Sequence, residues 1–101
     1  MRKIIKLSIS VLFLSTLLDA GALKGEKIYS KKLKKDCGFI NNQFSSKHTR
    51  EEWSKIYKDG KMADEIKLLC PKSTKYKSEY DSDMYAFVSQ YASDTGNVPS
   101  R

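Results

Sequence analysis

One histidine, His48, and two cysteines, Cys37 and Cys70, are all that this 101-residue chain holds of the side chains most used in metal and nucleophilic chemistry. Two thiolates need further donors to hold zinc, and one imidazole hardly supplies them. A hydrolase triad fares no better, since His48 alone could be the imidazole base and nothing in the spacing brings a nucleophile and an orienting acid to it. Glycine-rich phosphate loops are absent. The carboxylate pairs Glu51/Glu52 and Asp64/Glu65 are sequence neighbours, so on a helix each pair diverges instead of facing across a cleft. Glu51 and Glu52 also fall where the first turn of a helix favours negative charge. No catalytic constellation is recognisable, and the chain reads as a non-enzyme. Strand-like alternation and internal repeats are missing as well.

Long apolar stretches are equally scarce. Ile4 to Leu18 is the one mostly apolar run, broken by Lys6, a few serines and a threonine, and it follows Arg2 and Lys3. Ala20-Gly21-Ala22 then places small residues at both cleavage-recognition positions, the pattern of a signal peptide. A cut after Ala20 would put Leu18 at the more distant position, which fits less well. The run is shorter than the roughly 18–20 apolar residues that a membrane span needs, so removal is expected over retention as an anchor. The expectation is a cleaved leader over residues 1–22 and one small domain over residues 23–101, periplasmic or secreted, with no transmembrane segment in the mature chain.

The 79 residues that remain carry 16 Lys and Arg against 11 Asp and Glu, a net charge of +5. A basic balance often points to nucleic acid, but an exported protein meets little of it. Lys31, Lys32, Lys34 and Lys35, with Lys72, Lys75 and Lys77, are expected to face water, anionic lipid or an acidic partner. An isolated cysteine pair in an oxidising compartment usually forms a structural disulfide. Joining Cys37 to Cys70 would close a 34-residue loop and stabilise the fold by about 3–4 kcal/mol on the chain-entropy model. Their separation is far from the close spacing of thiol oxidoreductases.

Helix signals organise the rest. A first helix is expected over about residues 25–35, burying Ile28, Tyr29 and Leu33, with Cys37-Gly38 ending it. Residues 39–48 read as a loop with Phe39, Ile40 and Phe44 tucked beneath. Thr49 and Glu52 match a capping box for a second helix, whose face carries Trp53, Ile56 and Tyr57 before the stop at Asp59-Gly60. A third, short helix runs from Met62 with Ala63, Ile66, Leu69 and Cys70 in helical spacing, ended by Pro71. Residues 71–81 read as irregular. A last helix, capped by Ser82 and stopped by Gly96, presents Met84, Phe87, Val88, Tyr91 and Ala92 on one face.

Gly25-Glu26-Lys27-Ile28-Tyr29 resembles the first helix of class I cytochromes c, which reads glycine, three residues, tyrosine, then the haem motif. The segment from Asp83 to Tyr91 is similar to the carboxy-terminal helix of the same family. The resemblance implies an all-α, cytochrome c-like bundle of about four helices. Laid on the family pattern, Leu33 and Asp36 take the two cysteine positions of Cys-x-x-Cys-His, and Cys37 takes the histidine. Covalent haem is therefore not carried over, and no cofactor is expected. Non-covalent haem would have to draw on His48 with Met62 or Met84, and both methionines also fit apolar helical stripes.

The expected function is that of a non-catalytic, exported binding or accessory protein, a scaffold in which a disulfide stands in for the haem. The family docks through lysines, which implies a partner surface on Lys31, Lys32, Lys34 and Lys35 and an acidic periplasmic or membrane redox protein as partner. Any exposed aromatic among Phe39, Phe44, Trp53 and Tyr76 would assist. Two alternatives stay open: an electron-transfer protein holding haem non-covalently, and a small thiol-redox protein using Cys37 and Cys70.

Overall fold

The computed structural model describes residues 20–98, which form helices and no strands. The apolar leader lies outside the described residues except for Ala20, Gly21 and Ala22. Helix α1 occupies residues 20–37 and contains one π turn, Tyr29–Leu33, before a last α turn, Lys34–Cys37. It is followed by α2 (Asn41–Ser45), α3 (Arg50–Lys58), α4 (Met62–Leu69), a 3₁₀ turn (Ser78–Tyr80) and α5 (Asp81–Gln90). Among the described residues no helix is long and apolar enough to cross a membrane.

The first and last helices pack through small residues. A Cβ built on Gly25 would fall inside the backbone carbonyl of Asp83 and 2.8 Å from Phe87 Cβ, and one built on Gly21 would sit 3.2 Å from Ala86 Cβ. Ala22 is buried beside them. The small residues that suit a cleavage site therefore also serve helix packing. Close approach brings the Tyr29 ring to within 6.1 Å of Phe87, and from there aromatic contacts run inward. Tyr29 stacks on Phe44 at 4.4 Å, Phe44 meets Trp53 at 5.9 Å, and Trp53 takes the edge of His48 at 4.7 Å. Aromatic pairs at these separations gain beyond the area they bury. Leu33, Met62, Ile66, Cys70, Met84, Val88 and Ala92 complete the buried cluster.

The polar tips of the two largest core aromatics have partners. The Tyr29 hydroxyl donates to the Phe39 carbonyl at 2.6 Å, and the Trp53 indole N–H donates to the Ser45 carbonyl at 2.8 Å. Buried donors left unpaired would be costly, so these two bonds fix where the 39–48 segment lies over the core.

Gly38 ends α1 with φ +81°, the left-handed stop that favours glycine. Thr49 Oγ1 accepts the Glu52 N–H and Glu52 Oε1 accepts the Thr49 N–H, the expected capping box. Part of the 39–48 segment is helical, because Gln43 reaches back to the Ile40 N–H at 3.2 Å and Ser45 bonds the Asn41 carbonyl. Ala63 is exposed, so the α4 stripe is Met62, Ile66 and Cys70, with Leu69 half-buried. Ser82 does not cap α5, which grows directly out of the 3₁₀ turn. The helix also stops at Gln90, short of Gly96. There, Asn97 Nδ2 donates to the Gln90 carbonyl at 3.0 Å and the Ser93 N–H turns to the His48 carbonyl at 3.1 Å.

Cys37 and Cys70 are bonded, with Cα atoms 4.5 Å apart, so the end of α1 is tied to the end of α4. Replacing both by serine is expected to cost about 3–4 kcal/mol in urea unfolding. Gly25→Ala is expected to destabilise by about 1–3 kcal/mol, since the clashing atoms include backbone and the helices must part. Thermal unfolding of the two variants side by side reads both effects.

Candidate functional site

Charge is unevenly spread along the chain. From Lys27 to Arg50 seven cationic residues accompany one carboxylate, Asp36. Burying Tyr29 and Leu33 turns the opposite side of α1 to solvent, leaving Lys27, Lys31, Lys32 and Lys35 exposed and Lys34 half-buried. Three lysines find carboxylates: Lys24, near the start of α1, lies 3.7 Å from Asp83, Lys61 3.9 Å from Asp64 and Lys77 4.0 Å from Glu79. Lys31, Lys32, Lys34 and Lys35 form no ion pair among the described residues. Four like charges on two turns repel one another, and they also sit near the negative end of the helix dipole, which favours them there.

The stop at Gly38 folds Phe39 and Ile40 back against the last turns of α1. Ser30, Lys34, Lys35, Gly38, Phe39 and Ile40 line an open cleft of about 390 Å³. Ile40 is 39 % exposed, and Lys47 Nζ stands 4.0 Å over the Phe39 ring. Asn41 Nδ2 donates to Ser30 Oγ at 3.2 Å, and the Tyr29–Phe39 bond secures the same wall from below. The cleft is thus an apolar floor with ammonium groups around it.

A second groove, about 620 Å³ and also open, separates α3 from α4 and is lined by His48, Glu52, Lys55, Ile56, Asp59, Lys61, Asp64, Glu65 and Leu68. His48 is held between two carboxylates, with Nε2 2.7 Å from Glu65 Oε2 and Nδ1 3.6 Å from Glu52 Oε1. The Thr49 N–H, ahead of the nearby imidazole, holds the Glu52 carboxyl below the usual carboxylate range. These carboxylates point at opposite sides of one ring, and among the described residues no three His, Cys, Asp or Glu side chains gather as metal ligands.

The other residues singled out by the sequence are dispersed. Met62 and Met84 are fully buried in the core cluster, away from the two clefts, while His48 is partly exposed and committed to Glu65. Of the aromatics, Phe44 and Trp53 are fully buried and offer no surface. Phe39 and Tyr76 are half-buried. Tyr76 donates a short hydrogen bond to Asp81; burial, with that bond and the Asp81 charge, pushes its phenol far above the usual range. Sequence reading missed Lys47, sixteen positions from Lys31, which only the fold brings onto Phe39. It also missed the exposed Leu68 at the second groove.

No family model matches the chain, and no curated protein or solved structure matches it either.

Burial also pushes the Tyr29 phenol well above the ordinary tyrosine range. A folded-state value raised in this way adds stability that is complete below the unfolded phenol value near about 10 and is lost as pH rises beyond it. Absorbance titration is expected to show Tyr29 and Tyr76 ionising only as the protein unfolds in alkali. Tyr29→Phe should lose about 1–3 kcal/mol at neutral pH by orphaning the Phe39 carbonyl and should show a shallower alkaline decline.

Proposed function

We propose that this is an exported, non-catalytic docking or accessory protein that binds an acidic partner protein through the lysine face of α1. The observation that carries the reading is the clustering of four ammonium groups, Lys31, Lys32, Lys34 and Lys35, within five positions at one end of α1, none of them in an ion pair among the described residues. Cations left without internal partners cost nothing to bring to an acidic surface beyond their hydration, and they steer association from a distance. Export rests on the leader pattern of residues 2–22, with which the Cys37–Cys70 disulfide is compatible.

The likeness to class I cytochromes c remains part of this reading. Supporting it are the meeting of α1 and α5 at Gly25 and Asp83, with Tyr29 one turn on against Phe87. On that scaffold the disulfide fastens the end of α1, where the family would place its haem-bearing residues. The natural partner would then be an acidic redox protein or another acidic component of the envelope.

A fluorescent peptide of about eight glutamates should bind at low ionic strength and lose at least about tenfold in affinity between about 50 and about 300 mM salt. Charge reversal at Lys31, Lys32 and Lys35 should abolish binding. The same reversal at Lys72, Lys75 and Lys77 changes net charge equally and should leave most of the affinity. Affinity that ignores salt, or that falls alike in both triple variants, would remove the α1 face as the docking surface.

A further inference from the structure

We infer that the cleft between the end of α1 and the Phe39–Ile40 turn is an anchoring subsite for an apolar side chain carried within an acidic segment of the partner protein. The inference rests on the docking function proposed above and specifies its partner. Three features converge at one place. Ile40 is a large aliphatic residue left 39 % exposed beside a half-buried Phe39, in a protein whose core takes up Phe44 and Trp53 completely. The cleft, at about 390 Å³, has room for a leucine- or phenylalanine-sized group. Lys34 and Lys35 line it, Lys47 Nζ stands over the Phe39 ring, and none of these ammonium groups has an ion-pair partner among the described residues.

Charge complementarity selects the occupant. A neutral apolar group would fill the floor but leave the surrounding ammonium groups unmatched, and a purely acidic strand would match them but leave Ile40 and Phe39 wet. An apolar residue flanked by carboxylates satisfies both. Apolar contact at the centre with charged pairs around it is the usual anatomy of a small interface. The floor is also held in place before any partner arrives. The Tyr29 hydroxyl bonds the Phe39 carbonyl at 2.6 Å, Gln43 takes the Ile40 N–H, and the Cys37–Cys70 bond fixes the end of α1 immediately before Gly38. A preformed floor lowers the ordering cost of binding.

The test compares two labelled peptides on the full exported protein: a central leucine flanked on each side by about three glutamates, and the same peptide with serine at the centre. Burying one leucine side chain should make the first bind about tenfold tighter than the second. Ile40→Ser should erase that ratio while keeping the salt dependence, and because serine is a favoured N-cap residue the start of α2 survives the change. Leu68→Ser, in the other groove, should leave the ratio intact. Equal binding of both peptides in a salt-dependent manner overturns the anchor and leaves the lysine face standing. A leucine preference that survives Ile40→Ser but is lost with Leu68→Ser moves the anchor to the α3–α4 groove and overturns this one. Binding of neither peptide, with or without capture by vesicles rich in phosphatidylglycerol, overturns the acidic protein partner together with the subsite.

Discussion

The missing side chain of Gly25 allows the backbone of α1 to lie directly against the Asp83 carbonyl of α5. With any larger residue there the helices would stand further apart, and Tyr29, one turn on, would lose Phe87 and the stack on Phe44. The aromatic contacts run on from Phe87 through Tyr29 and Phe44 to Trp53, and the first of them depends on that separation. A small domain has little apolar surface to bury, so concentrating four large rings in one chain of contacts supplies much of what its core can offer. The disulfide then fastens the far end of α1 to α4, on the side of the helix away from Gly25 in sequence.

The same packing sorts the charges. Carboxylates are mostly put to work inside the fold. Glu52 closes the capping box, Glu65 holds His48, and Asp94 accepts the Arg50 N–H at 2.9 Å while Arg50 Nε donates to the Ser89 carbonyl at 3.0 Å. That last exchange is reciprocal: the start of α3 receives an acceptor from the segment after α5, and α5 near its end receives a donor from α3. Helix ends present unpaired backbone groups, and two helices here answer each other's. Lys31, Lys32, Lys34 and Lys35 of α1 have no such employment. Once Tyr29 and Leu33 are turned inward, Lys31, Lys32 and Lys35 are left exposed to solvent, and Asp36, the one carboxylate within their run, forms no ion pair with them. The surface available for recognition is what remains after the acids have been used for folding.

Much of this was readable in local patterns. The Thr49–Glu52 box, the stop at Gly38, the burial of Tyr29 and Leu33 and the Met84–Phe87–Val88 face follow from residue type and short-range spacing, and the Cys37–Cys70 bond from there being only two cysteines to pair. The errors share one cause. Ser82 was eligible as a cap and Gly96 as a stop by the same rules, yet α5 begins without the first and ends before the second, because Asn97 and the His48 carbonyl draw the chain away at Gln90. Phe44 lies wholly inside, in keeping with its place beneath the 39–48 segment, and so does Trp53 on the inner face of α3.

Apart from α2 and the face of Ala63, helix identity and the inward faces were thus determined by the sequence itself, since 3.6-residue periodicity, caps and glycine stops act over a few neighbouring residues. The lysines of α1 were equally visible as a run of charge. Only the tertiary structure decided that Phe39 and Ile40 would form an apolar floor beside them, that Lys47 would stand over the Phe39 ring, and that His48 would be held by Glu65 instead of standing free. Those outcomes depend on which helices meet and at what distance, and the distance was set by a glycine and a carbonyl 58 positions apart. Local propensity carries no information about such a separation, because it arises only when two finished helices are pressed together.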